Sequence, residues 1–122
     1  MIVIIKKDGS RTTPPMAQAQ ANNYLKKLLN AESHACLSQC LNQMCDHNGK
    51  ATGFYSFDER PVLHASAGKI GANSGVVIFF YTAGGTHYIF AMGQHIDSKS
   101  YAVNIYGQPD GDFKEGKAVR LN

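Results

Sequence analysis

Apolar residues recur along this chain with two periods. At the start, Ile2, Val3, Ile4 and Ile5 form a β-branched run closed by Lys6-Lys7 and the turn Asp8-Gly9-Ser10, which predicts a short first strand over Met1 to Lys6. Thr12-Thr13 then offers a cap and Pro14-Pro15 a helix start, after which Ala17, Ala21, Tyr24/Leu25 and Leu28 return at helical intervals. The spacing predicts a helix from about Pro15 to Leu29. Asn30-Ala31-Glu32-Ser33 interrupts the pattern. Ser33 can cap a second helix whose apolar stripe is Leu37, Cys40/Leu41 and Met44/Cys45, and Asn48-Gly49 ends it.

Beyond Gly49 the period shortens to two. A strand is expected at Phe54 to Phe57, then a charged turn at Asp58-Glu59-Arg60-Pro61 and a short extended piece from Val62 to Ala65. Gly68, Gly71 and Gly75 punctuate the connection that follows. Val76 to Tyr81, the turn Gly84-Gly85, His87 to Met92 and Tyr101 to Tyr106 have the pattern of a meander, with a last strand near Ala118 to Leu121. The expected fold is therefore α+β: two N-terminal helices packed on one face of an antiparallel sheet of about four to six strands. No repeat, linker or low-complexity segment divides the chain, so residues 1–122 are expected to form a single domain.

A length of 122 residues, 43% hydrophobic and 17% charged, is that of a chain able to bury one core, not of a disordered segment. The net charge of +3 is spread along the sequence, which is compatible with an RNA or phosphate partner without arguing for one. Cys36, Cys40 and Cys45 fall in one helical stretch. Odd in number and close together, they suit reduced thiols better than a disulfide framework. The first apolar run is too short for a signal-peptide core and nothing is long enough to span a membrane. A cytoplasmic location is expected, or delivery by a secretion route that needs no signal peptide.

The glycines do not form a nucleotide loop between a strand and a helix. Cys36 and Cys40 with His34 and His47 lack the paired loop spacing of a zinc site, so neither a metal nor another cofactor is expected. More suggestive is the order Cys36, His87 and a polar residue one strand later, Asn104 or Gln108. With Ser33 as cap, Cys36 takes the third position of its helix, where free N–H groups and the helix dipole favour a thiolate. An imidazole to accept the thiol proton and a polar group to orient the ring would complete a nucleophilic site, provided the strand register puts them at one end.

These pieces resemble the papain-like cysteine peptidase superfamily, in particular its small bacterial effector and cell-wall amidase branches. The resemblance rests on the segment His34 to Asn42, the strand pair Gly75 to Phe80 and Gly85 to Ala91, and Tyr106-Gly107-Gln108-Pro109-Asp110-Gly111-Asp112-Phe113. It implies Cys36 as nucleophile, His87 as base and Gln108 or Asn104 as orienter, acting on a peptide or amide bond. Gln108 stands where the effector branch has an Asp, and no oxyanion-hole Gln precedes Cys36. The partners implied are a protein or peptide substrate and an inhibitor or immunity protein.

Two other classes fit the same sequence. A first strand, two helices and then an antiparallel sheet is also the outline of small ribonuclease toxins related to barnase and of ribosome-dependent toxins of toxin–antitoxin pairs. In that reading His87, His95, Lys99, Tyr101 and Arg120 supply acid–base and phosphate-binding groups on the sheet, and Cys36 is dispensable. A non-catalytic protein-binding module is the third class. The histidines His34, His47 and His64 are assigned no role.

Overall fold

The computed structural model describes residues 1–5, 12–29, 31–47, 49–57, 60–69, 74–97 and 100–105. In chain order these form β1 (Ile2–Ile4), α1 (Gln18–Lys26), a 3₁₀ turn (Ala31–Ser33), α2 (His34–His47), β2 (Lys50–Phe57), β3 (Arg60–Ala67), β4 (Val76–Ala83), β5 (Thr86–Asp97) and β6 (Ser100–Ile105). The class is α+β, with both helices on one face of a single six-stranded sheet.

The strand order is β1-β5-β4-β3-β2, and β6 also pairs with β5. The meander from β2 to β6 is antiparallel throughout, as expected of strands joined by short turns. One pairing departs from the all-antiparallel expectation: β1 runs parallel to β5, with Ile2 opposite His87 and Ile4 opposite Ile89. No hairpin joins these two strands, so nothing in the connection forces them antiparallel. β5 is long enough to hold two neighbours on one edge, β1 along residues 87–89 and β6 along 91–97.

The first helix is shorter than its apolar spacing predicts. Met16 exchanges both backbone hydrogen bonds with Ile2 at 2.9 Å, and Thr13 N–H donates to the Ile4 carbonyl at 2.9 Å, so residues 12–16 are extended against β1. A residue held in that ladder cannot also adopt helical dihedrals, and α1 begins only at Gln18. Gln20 Oε1 accepts the Ala17 N–H at 3.0 Å and covers one orphan donor of the first turn. β2 and β3 are both longer than expected, starting at Lys50 and Arg60. The expected strand near Ala118 to Leu121 lies outside the described residues.

Alternation along β4 divides the core in two. Val76, Ile78 and Phe80 point to the helices and pack with Leu25, Leu37, Cys40, Leu41 and Met44, while Val77, Phe79 and Tyr81 point away with Val62, Phe90 and Ala91. Phe90 and Ala91 are neighbours in sequence yet share that second face. They do so because the β4–β5 register shifts between Phe79 and Phe80, a bulge that inserts one residue into β5.

The two helices run antiparallel and are stitched by polar pairs four residues apart. Gln18 donates to Asn42, Asn22 to Ser38 at 3.3 Å, and His34 Nε2 meets the Lys26 carbonyl at 2.9 Å. Among the described residues no helix is long and apolar enough to cross a membrane.

Candidate functional site

The placement of Cys36 follows from how α2 lies on the sheet. Cys40 Sγ donates to the Val76 carbonyl at 3.3 Å, and Gln43 Oε1 accepts the Ser66 N–H at 3.0 Å. α2 therefore descends along β3 from its late residues toward its early ones. Cys36, third residue of α2, sits at the upper end: a Cβ built on Gly68 would stand 3.0 Å from its Sγ and 2.8 Å from Gly75 Cα.

His87 lies at the opposite end of the sheet. It is the second residue of β5, opposite Thr82 and beyond the Gly84-Gly85 turn, and its Nδ1 is 2.9 Å from Thr82 Oγ1. Its ring meets Phe80 edge-on at 5.8 Å, and burial, then the nearby N-terminal ammonium, pull its pKa below the ordinary 6.5. From Gly75 to Thr82 is seven residues of extended chain, roughly 23 Å at about 3.3 Å per residue. Cys36 and His87 are not brought together, and no hydrogen bond or proton transfer can link them at this separation.

Asn104 stands opposite Met92 in the β5–β6 register, five residues along β5 from His87, so its backbone is not level with the imidazole either. Gln108 lies outside the described residues. The ribonuclease roster is dispersed in the same way: His95 pairs with Tyr101 at the far end of β5 from His87, and Lys99 and Arg120 lie outside the described residues. Among the described residues no cluster of His, Cys, Asp or Glu is placed to hold a metal ion.

What the register does assemble is a strip of polar and aromatic side chains on the face of the sheet that no described helix covers. Arg60 lies over the Tyr81 ring at 5.5 Å, and Tyr81 stacks on Tyr88 with centroids 4.7 Å apart and planes 9° from parallel. Arg60 is exposed and Tyr88 half-buried, whereas the centre of the face at Val77, Phe79 and Phe90 is fully buried. His64, on the same side of β3 as Arg60 and Val62, is half-buried against Phe79 with ring centroids 6.4 Å apart. Lys50 is the direct cross-strand partner of His64, and it is exposed.

The sequence reading missed this strip because it placed Arg60 in a turn and began the strand at Val62. A strand started at Arg60 puts Arg60, Val62 and His64 on one face by alternation alone. The Lys50 pairing has no such local signal, since it depends on the β2–β3 register.

A concavity of about 360 Å³ lies between the helices and is lined by Gln18, Ala19, Asn22, Ser38, Leu41 and Asn42. None of these side chains is charged; Gln18 bonds to Asn42 and Asn22 Nδ2 to Ser38, while the buried Asn22 Oδ1 has no hydrogen-bond partner among the described residues. Comparison with known proteins adds no relative: no family model matches the chain, and neither does any curated protein or solved structure.

Proposed function

We propose that the protein is a small RNA-binding enzyme of the ribonuclease-toxin outline, which engages single-stranded RNA at the edge of the sheet face that no described helix covers. One observation carries this reading: the exposed Arg60 guanidinium, the Tyr81 ring and the Tyr88 ring form a continuous stack on that face. A half-buried tyrosine at the end of such a stack can extend it to a nucleobase, and an exposed guanidinium beside it supplies a planar cation that attracts a phosphate. The element order supports the same reading, because β1, two helices and an antiparallel meander is the outline that such small ribonucleases have. A net charge of +3 favours a polyanionic partner mildly.

The cysteine-hydrolase reading would need Cys36 and His87 side by side, and no observation favours it at their separation. The two readings part cleanly in solution. Fluorescence anisotropy with a labelled single-stranded oligoribonucleotide of mixed sequence should give saturable binding that weakens as salt rises. Tyr88→Ala should weaken binding by about 1–3 kcal/mol, the usual worth of a base–aromatic stack, and Arg60→Ala should also reduce the salt slope. Cys36→Ala should leave binding unchanged. Equal affinity of the wild type and Tyr88→Ala would sink the platform.

A further inference from the structure

The groove between the helices has no part in the stack at the sheet edge, and its chemistry is of another kind. Each helix contributes two polar side chains four residues apart, Gln18 and Asn22 from α1 and Ser38 and Asn42 from α2, so each pair lies on one face of its helix. Ala19 and Leu41 supply the apolar part of the lining. The volume of about 360 Å³ falls at the lower end of the range for small-molecule sites, about 300–1,000 Å³. From Gln18 to Leu25 and from Ala35 to Cys45 neither helix carries an Asp, Glu, Lys or Arg, so a charged ligand would find no counterion in the groove.

The hydrogen bonds of the lining leave groups over. Gln18 Nε2 donates to Asn42 Oδ1, and Asn22 Nδ2 donates to Ser38 Oγ at 3.3 Å, a long bond. An acceptor remains on Gln18 and one on Asn22, and a donor on Asn42 and one on Ser38. Asn22 Oδ1 is the most telling of these, because it is closed to solvent and has no hydrogen-bond partner among the described residues. An amide oxygen buried unpaired is costly, and a donor brought to it removes that cost. The long bond to Ser38 holds the Asn22 amide loosely enough for it to turn toward such a donor. We infer that the groove binds a neutral small molecule with a planar amide edge, a C=O beside an N–H, such as a pyrimidine nucleoside or an aromatic carboxamide presents. The ligand N–H donates to Asn22 Oδ1, its C=O accepts from the Ser38 hydroxyl or the Asn42 amide, and its ring lies against Ala19 and Leu41. A polyol would match the hydrogen bonds but not the flat apolar contact. The inference is independent of the RNA reading, since the groove belongs to the helical layer and Tyr88 to the other face of the sheet.

The test titrates the full chain, labelled with ¹⁵N, with uridine, with nicotinamide and with glucose, and follows the side-chain amide signals of Gln18, Asn22 and Asn42 by NMR. The expected result is a saturable shift of all three signals with uridine or nicotinamide, at a Kd of about 1 mM or tighter, and the tighter binder names the source of the amide. Asn22→Ala and Ser38→Ala should each weaken that compound by about tenfold, and Tyr88→Ala should change nothing. If uridine is the binder, 3-methyluridine, which lacks the N–H, should lose at least about tenfold. Equal shifts with glucose overturn the amide assignment. Undiminished affinity in an Asn22→Ala protein that melts like the wild type overturns the role of Asn22 and with it the inference. Saturation by none of the three compounds means a groove that holds water only and overturns the site, as do uridine shifts that leave the three amides unmoved and vanish in Tyr88→Ala.

Discussion

Two buried titratable side chains show how position overrides residue type. Cys40 lies on the sheet side of α2 with no exposure, and burial, reinforced by the neighbouring Cys36, pushes its thiol from 9.0 up to about 12. Below about pH 9 the thiol is protonated in both the folded and the unfolded chain. Above that value only the unfolded chain gives up the proton, so stability falls as the pH climbs from 9.0 toward about 12. The slope from this group is about 1.4 kcal/mol per pH unit at most. Urea midpoints at about pH 8 and about pH 10 should therefore separate more for the wild type than for Cys40→Ala. Native Cys40 should also resist iodoacetamide until the protein unfolds, because the thiolate is the reacting species. His87 works in the other direction. Its folded pKa lies below the unfolded 6.5, so its contribution is complete above 6.5 and is lost as acid protonates it first in the unfolded and then in the folded chain. Acid destabilisation measured by urea melts below about pH 6.5 should be smaller in His87→Gln than in the wild type.

At the scale of elements, local propensity set what could form and backbone hydrogen bonding set where it stopped. The apolar spacing from Ala17 to Leu28 is helical, but Thr13 and Met16 are claimed by β1 and the helix loses its first turn. The α2–β2 junction shows the same competition. Asn48-Gly49 is a helix stop in sequence, and the reason glycine is needed is tertiary: the positive φ comes with contacts to the His64 carbonyl and the Phe80 ring that leave no room for a Cβ. Gly49→Ala should accordingly cost more than the usual glycine-cap substitution, about 2 kcal/mol or more, read as a lower urea midpoint with an unchanged slope. The Gly84-Gly85 turn needs φ of +58° and +79° but has open space around both residues, so there the demand is conformational only.

For the molecule as a whole, what matters is that the sheet has two unlike faces. Helices cover one, and the polar strip from Lys50 to Tyr88 lies on the other. Activity confined to the second face should be indifferent to Cys36, which stands at one end of the first. Central strands of 8 and 12 residues also keep the ends of the sheet apart, and this is why Cys36 and His87, though in the expected order along the chain, do not meet.

Read by itself, the sequence determined the class of the fold, the existence of both helices, the meander and its Gly84-Gly85 turn, because each rests on periodicity and turn chemistry within a few residues. It also determined that Cys36 falls in the first turn of α2, since caps are local. Only the tertiary structure decided which end of the sheet receives that turn, the parallel seating of β1 on β5, and the cross-strand neighbours Lys50 and His64. These depend on strand register and on the direction in which a helix crosses the sheet. Both are fixed by packing between residues distant in sequence, and a shift of one residue in either would exchange one face for the other.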